Sequence, residues 1–207
     1  FIFFGLHLLV LSRLAVKSPI VPRFISILLA IAGIGYVIDT CAQWWVSNYA
    51  DYETAFAWIA ELDEEVDIIV VTFHGGAEGV DTTHVPFAEE EYYGEPRGDV
   101  VWFARGVVDA GADLVIGHGP HVVRGMEPSN DRLIDYSLGN FATYYGISVA
   151  GIKGIAPILT TTLDGEGRFV EGHIVSTIQV RPAGPSIDRQ DRAQSHLMPR
   201  PATWPDP

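Results

Sequence analysis

Two segments of this chain share one order of features: an amphipathic helix pattern, a short apolar run, and a histidine beside glycine. In residues 51–79 the apolar run "DIIVVTF" leads into "HGGAEG", and in residues 98–121 "DLVIG" leads into "HGPH". Short β-branched runs suit buried strands, and apolar residues at helical spacing predict helices. The order therefore predicts an α/β fold in which helices pack on a layered sheet.

The rest of the chain extends this α/β pattern to residue 181. Asp99 and Gly111 are placed to cap the start and the end of the second helix. Further on, "RLIDYSLGNF" contains another strand, and "APILTTTL" and "RFVEGHIVSTIQV" flank the turn signal "DGEG", which predicts a hairpin. Residues 51–181 are therefore one predicted domain, and the proline-rich residues 182–207 are a predicted unstructured tail.

Two apolar runs, residues 1–12 and 20–38, precede this domain. The second approaches the ~20 residues that a membrane-spanning helix needs, so one or two transmembrane helices are predicted within residues 1–40, the first cut short. A buried hairpin of a soluble protein is the alternative. The basic residues of this region, Arg13, Lys17 and Arg23, lie in or beside the segment that connects the two runs. Basic loops stay in the cytoplasm, so this segment is a predicted cytoplasmic loop. The domain that follows is then predicted to be membrane-anchored and outside the cytoplasm.

The charge balance limits the classes of ligand. The chain has 26 acidic and 13 basic residues and a formal net charge of −13, and the acidic excess lies after residue 50. Nucleic-acid binding is not expected, because phosphate contacts need Lys and Arg. An acidic domain suits metal cations better. The single cysteine, Cys41, excludes an internal disulfide.

The polar residues after the two predicted strands are the candidate site. His74 and Glu78 follow the first strand, and His118 and His121 follow the second. Ligands of open α/β sheets gather at the carboxyl ends of strands, so these side chains converge if the two strands are neighbours. Imidazole and carboxylate together suit a divalent metal such as Mn, Fe or Zn, and a pair of such ions generates a hydroxide nucleophile.

Each candidate also has a plainer interpretation. A histidine at a strand end, such as His74, often caps the strand, and Asn140 after "LG" either touches a metal or substrate or caps a turn. His84 is in a predicted loop, and His173 is in a hairpin strand as a surface or core residue. A solvated acidic loop is the expected role of four glutamates: Glu89, Glu90, Glu91 and Glu95. No Walker A loop, G-x-S-x-G elbow or C-x-x-C motif is present.

Several motifs together resemble a known family. "VDIIVVTFHGGAEG", "GEPRGDVVWFARGVVDAGADLVIGHGPHVVRGME" and "RLIDYSLGNFATY", in this order, resemble the CapA family, named for poly-γ-glutamate capsule biosynthesis. The likeness covers residues 51–190. That family is similar to calcineurin-like metallophosphoesterases, which implies a sheet sandwich flanked by helices. It also implies that His74, His118 and His121 bind metal, with Glu78 and Asn140 as catalytic residues.

The family pattern is only half present. Its members begin with a Gly-Asp strand, an Asn-Leu-Glu element and an Asn-Asn-His element, and these are absent here. Residues 1–40 instead resemble the end of a small membrane-protein family of unknown function, DUF4386, with the joint near residues 40–52. The chain also opens with Phe1 inside an apolar run, so a fragment or a fusion is expected.

Three functions follow as competing hypotheses. The first is a metal-dependent hydrolase of capsule or poly-γ-glutamate biosynthesis, anchored at the membrane. The second is a non-enzymatic membrane-anchored module, or an inactive fusion, that binds an anionic polymer or the capsule export machinery. The third places the function in the helices of residues 1–38 and treats the remainder as a passenger.

Overall fold

The computed structural model of the chain describes residues 2–18, 22–45 and 51–197. It is a mixed α/β structure that divides into two compact units, Phe1–Thr54 and Ala55–Pro207. Its helices and strands, in chain order, are α1 (Ile2–Val16), α2 (Arg23–Trp45), α3 (Tyr52–Asp63), β1 (Val70–His74), β2 (Glu90–Tyr92), β3 (Glu95–Gly98), α4 (Val100–Asp109), β4 (Leu114–His118), β5 (Met126–Ser129), β6 (Arg132–Asp135), β7 (Ile155–Leu163), β8 (Phe169–Gln179), β9 (Pro185–Ile187) and α5 (Arg192–Leu197).

The first unit contains a pair of packed helices, α1 and α2. The hydroxyl of Ser12 donates a 2.8 Å hydrogen bond to the backbone oxygen of Ser26, and both residues are buried. A Cβ atom on Gly33 would lie 2.8 Å from the backbone oxygen of Gly5. Glycine at this position therefore permits the close approach of the two helices.

The prediction of transmembrane helices is wrong. Among the residues that the structure describes, no helix is both long enough and apolar enough to cross a membrane. Helix α1 has 15 residues, fewer than the ~20 that a bilayer requires. Helix α2 starts at the charged Arg23 and continues through Asp39 to Trp45, so charges bound its apolar stretch on both sides.

The second unit is built on a four-stranded sheet with the order β1-β4-β6-β5. Strands β1, β4 and β6 are parallel, and β5 is antiparallel to β6. Buried side chains of α4 cover one face of this sheet. The main core contains five α4 residues together with residues of the sheet and of the segments beside its strands: Ile69, Val100, Val101, Ala104, Val107, Val108, Ala112, Val115, Ile134 and Tyr136. The predicted helix-on-sheet packing is therefore present in this unit.

Helix α4 begins as its sequence predicts. Asp99 Oδ1 accepts hydrogen bonds from the backbone nitrogens of Val101 (3.1 Å) and Trp102 (2.8 Å), which is the usual role of an N-cap aspartate. Just after the helix, Gly111 has a φ of +120°, which favours glycine. Helix α3 packs nearby, since the Phe56 ring contacts the Trp102 ring edge-on at 5.5 Å between centroids.

A separate three-stranded sheet has the order β7-β8-β9. The predicted hairpin is confirmed: β7 and β8 are antiparallel and joined through "DGEG", where the Gly167 nitrogen donates to the Asp164 oxygen at 3.1 Å. The predicted tail differs from the structure, because β9 and α5 lie within it. Asp188 explains the start of α5, since its carboxylate accepts hydrogen bonds from the backbone and side chain of Arg192. Residues 198–207 of the predicted tail lie outside the described residues.

Candidate functional site

The two predicted strand ends are neighbours. Strands β1 and β4 pair in parallel, and the register places His74 directly beside His118 at their carboxyl ends. The segment that follows β4 brings His121 to the same edge, and the ring centroids of His74 and His121 are 6.3 Å apart. We call this group, with Glu78 and Asn140, the histidine edge.

Backbone hydrogen bonds join the two histidine-bearing segments. The Gly75 nitrogen donates to the His118 oxygen at 2.9 Å, and the Gly79 nitrogen donates to the Pro120 oxygen at 3.0 Å. Gly119 has a φ of +124°, and a Cβ atom there would lie 2.5 Å from the Gly75 oxygen. Only glycine allows the segments to pack so closely, which explains the glycine after His118.

Asn140 orients the imidazole of His121. Its side-chain nitrogen donates to the backbone oxygens of His121 and Lys153, both at 3.1 Å, so its Oδ1 is the atom 2.9 Å from His121 Nδ1. Because a carbonyl oxygen only accepts, the proton of neutral His121 lies on Nδ1 and Nε2 carries the lone pair. His121 also has a φ of +59°, an uncommon conformation outside glycine.

Glu78 lies between His121 and an arginine. Its Oε2 is 3.8 Å from His121 Nε2, and its Oε1 is 3.2 Å from an Arg97 side-chain nitrogen. About a quarter of the Glu78 side chain is exposed, and 21% of the His121 side chain is exposed. Both side chains are therefore partly open to solvent.

The surroundings of His118 lower the pKa of its imidazole. Partial burial lowers its pKa, and the neighbouring His74 lowers it further. Both effects disfavour the charged ring. His118 is therefore neutral at pH 7.

The donor types of the histidine edge suit a transition metal, because Mn, Fe and Zn bind imidazole and carboxylate. Within residues 2–18, 22–45 and 51–197, however, no three His, Cys, Asp or Glu side chains converge closely enough to hold an ion. In this geometry His121 and Glu78 pair with Asn140 and Arg97. The arrangement as it stands does not fit a metal centre, and the assignment of His74, His118 and His121 as ligands stays a prediction.

Three polar residues near the histidine edge escaped the sequence reasoning: Arg97, Glu90 and Arg124. Glu90 was expected in a solvated acidic loop, but it is 6% exposed and bonded to the fully buried Arg124. The other three glutamates of that loop are exposed. The run of three glutamates has no apolar–polar alternation that would mark Glu90, the first residue of β2, as buried.

The plainer interpretations hold for two other histidines. His84 is exposed in a loop and has a 3.4 Å contact with the Thr83 hydroxyl. His173 is exposed on β8 opposite Thr160. Neither side chain belongs to the histidine edge.

Comparison with known proteins supports both resemblances. The model of the bacterial capsule synthesis protein family PGA_cap matches residues 35–145, which contain the whole histidine edge. The model of the domain of unknown function DUF4386 matches residues 1–64. The predicted composite of a CapA-like region behind a DUF4386-like segment is therefore confirmed.

Similar individual proteins carry related names. The chain is 32% identical over 142 residues to the "PGA biosynthesis protein CapA" of Bacillus subtilis (strain 168), which covers 69% of the chain and 33% of that protein. It is 37% identical over 75 residues to the "Capsule biosynthesis protein CapA" of Bacillus anthracis, covering 36% of the chain and 15% of that protein.

A shorter match is 60% identical over 47 residues, 23% of the chain and 10% of the relative, to the uncharacterized protein y4sH of Sinorhizobium fredii. The chain thus spans a third or less of the length of these curated relatives. The family model nevertheless matches more than half of the residues of this chain. The chain therefore belongs to the bacterial capsule synthesis protein family PGA_cap.

Proposed function

We propose that this chain takes part in the synthesis or trimming of an anionic capsule polymer such as poly-γ-glutamate, through a hydrolase-like site at the histidine edge. Family membership and the names of the relatives support the capsule context. All five candidate residues of the site lie within the matched region, which supports the location.

The observation that carries the proposal is the hydrogen bond from His121 Nδ1 to Asn140 Oδ1. In the neutral ring this bond places the lone pair on Nε2, which lies 3.8 Å from Glu78 Oε2. A neutral imidazole nitrogen in that position accepts a proton from a water molecule that attacks an amide carbonyl carbon. The same proton is then returned to the leaving amine, so His121 ends the cycle unchanged.

Glu78 and Arg97 have supporting roles in this scheme. The Glu78 carboxylate stabilises the imidazolium that forms when His121 takes the proton. Arg97 partly neutralises Glu78 and offers positive charge to a carboxylate of the polymer. The proton transfer is assigned to His121, because Asn140 fixes the orientation of its ring.

The test is cleavage of poly-γ-glutamate by the purified 207-residue chain, followed by polymer length and by new amino groups. We expect His121→Gln to lower the rate by about 10²–10⁴-fold, the usual contribution of a general base. His173→Gln is the matched control, because His173 is an exposed histidine of another sheet. Activity that survives in His121→Gln would contradict the proposal, as would activity that EDTA removes and Mn²⁺ or Zn²⁺ restores.

A binding module for the anionic polymer is the second candidate function. Arg97 favours it, since this cation contacts Glu78 of the histidine edge in a chain with a net negative charge. Sedimentation with poly-γ-glutamate separates the two candidates. Binding that Arg97→Gln weakens, without release of amino groups by the wild type, would support the binding module over the hydrolase.

A further inference from the structure

The side chain of Arg124 lies at a junction of three segments. Its guanidinium is fully buried, and Nη1 and Nη2 donate to the two carboxylate oxygens of Glu90 at 2.7 and 2.8 Å. This is the two-pronged geometry in which an arginine and a carboxylate fix each other's orientation. Arg124 comes three residues after His121, while Glu90 begins β2, so the pair ties the histidine segment to a distant strand.

The same pair also holds the loop that carries Glu78. Arg124 Nε donates to the Thr82 oxygen at 2.7 Å, and Nη2 reaches the Ala77 oxygen at 3.3 Å. The Ala77 nitrogen in turn donates to Glu90 Oε2 at 3.1 Å. The loop 77–82 is therefore bound to one ion pair at both of its ends, with Glu78 between them.

The sequence leaves space for this arrangement. Gly76 has a φ of +84°, and a Cβ atom there would lie 2.8 Å from Arg124 Nη1 and 2.9 Å from Glu90 Oε1. The glycine of the "HGGAEG" segment thus allows the loop to lie directly on the ion pair.

A buried ion pair is a poor way to stabilise a core, because removing both charges from water costs about as much as their attraction returns. Its directional hydrogen bonds are better suited to holding a segment in one conformation. Within residues 2–18, 22–45 and 51–197, the ion-pair contacts of the Glu78 carboxylate are those of 3.2 Å to Arg97 and 3.8 Å to His121. The placement of its carboxylate therefore depends on the loop.

We propose that Arg124, through its pair with Glu90, is a positioning residue that holds loop 77–82 so that the Glu78 carboxylate faces His121 Nε2. This inference deepens the proposed function and rests on it for its consequence in catalysis. The geometric part has its own readout, which needs no activity.

The first readout is amide hydrogen exchange of the 207-residue chain. Arg124→Lys keeps the positive charge but removes the paired hydrogen bonds from the guanidinium to Glu90. Because Glu90 also accepts from the Ala77 amide, we expect that amide to exchange at least about tenfold faster, as a lost charge-assisted hydrogen bond implies. Arg105→Lys is the matched control, because Arg105 forms a similar pair with Glu127 and does not contact this loop. Equal acceleration in both variants, or none in Arg124→Lys, would overturn the proposal.

The second readout is the coupling between Glu78 and His121, measured from the NMR shift of the His121 ring. Glu78→Gln should move that signal in the wild type and in Arg105→Lys, but not in Arg124→Lys, where the carboxylate no longer faces the ring. A merely structural role of Arg124 would leave the coupling intact, and that result would overturn the inference. If Arg124→Lys does not fold, Glu90→Gln takes its place. Failure of both to fold, while Arg105→Lys folds, would make the pair a folding determinant and also overturn it.

Activity separates this inference from the proposed function. If poly-γ-glutamate is cleaved, Arg124→Lys should lower kcat with little change in KM, because the polymer does not touch the buried pair. If the wild type cleaves nothing, the proposed function fails, while exchange and coupling still decide whether Arg124 positions Glu78.

Discussion

Asn140 and His121 hold each other in one orientation although 19 residues separate them along the chain. The amide oxygen of Asn140 accepts from the imidazole, and its nitrogen donates to the backbone oxygen of the same histidine. Asn140 is 5% exposed, so water does not replace these bonds. Asn140 thus bonds backbone oxygens and the His121 ring, while its contact with a metal or substrate stays a prediction.

Replacing Asn140 by Leu should release the His121 ring. Without the acceptor at Nδ1, we expect a mixture of the two neutral tautomers, where the wild type has the proton on Nδ1. The unpaired backbone oxygens should also lower the free energy of unfolding by about 1–3 kcal/mol. Two-dimensional ¹⁵N NMR of the imidazole nitrogens reports the tautomer, and an unchanged spectrum in Asn140→Leu would contradict the assigned hydrogen bond.

Gly119→Ala should destabilise the chain because the new methyl group meets the Gly75 backbone at a φ of +124°. We expect a loss of about 1–3 kcal/mol or more in the free energy of unfolding, measured with urea. Gly125→Ala is the matched control, since a Cβ atom there has no neighbour within 4 Å. Equal effects of the two substitutions would contradict the close approach of the two segments.

Asp135 should make the stability depend on pH. It is fully buried, neither carboxylate oxygen has a hydrogen-bond partner among the described residues, and burial raises its pKa well above the usual value. Above a pH of about 4 the unfolded chain releases this proton while the folded chain keeps it, so stability falls as pH rises towards the raised pKa.

Asp135→Asn removes that titration and should gain stability relative to the wild type as pH increases. Between pH 4 and pH 7 the difference in unfolding free energy between the two proteins should grow steadily, because the raised pKa acts only on the wild type. Urea unfolding at several pH values measures it. Parallel pH profiles of the two proteins would show that Asp135 titrates normally.

Asp99→Ala should weaken the start of α4. The substitution leaves the Val101 and Trp102 nitrogens without their side-chain acceptor, which costs about 0.5–2 kcal/mol at an N-cap. Asp99→Asn, which keeps an acceptor, should cost much less. Thermal unfolding followed by circular dichroism compares the three proteins, and similar melting temperatures for the Ala and Asn variants would argue against capping.

Local patterns in the sequence were sufficient for several elements of the second unit, but not for β9 and α5, which lie in the predicted tail. The β-branched runs before His74 and His118 are strands β1 and β4, and Asp99 begins α4, because strand and helix patterns and caps depend on residues within one or two turns. The same patterns placed both histidines at strand ends. The apolar composition of α2 led to the wrong prediction of a membrane-spanning helix. The positions of Arg23 and Asp39 on either side of the apolar stretch mattered more than its length.

The sequence alone therefore determined strands β1, β4, β6, β7 and β8 and the residue types that follow β1 and β4. The tertiary structure decided that β1 and β4 are neighbours and that Asn140 forms a hydrogen bond with His121. It also decided that Glu90 is buried in an ion pair with Arg124. These contacts join residues 19 to 44 positions apart. No local pattern specifies such partners, because they depend on how the packed core brings the strand ends and loops together.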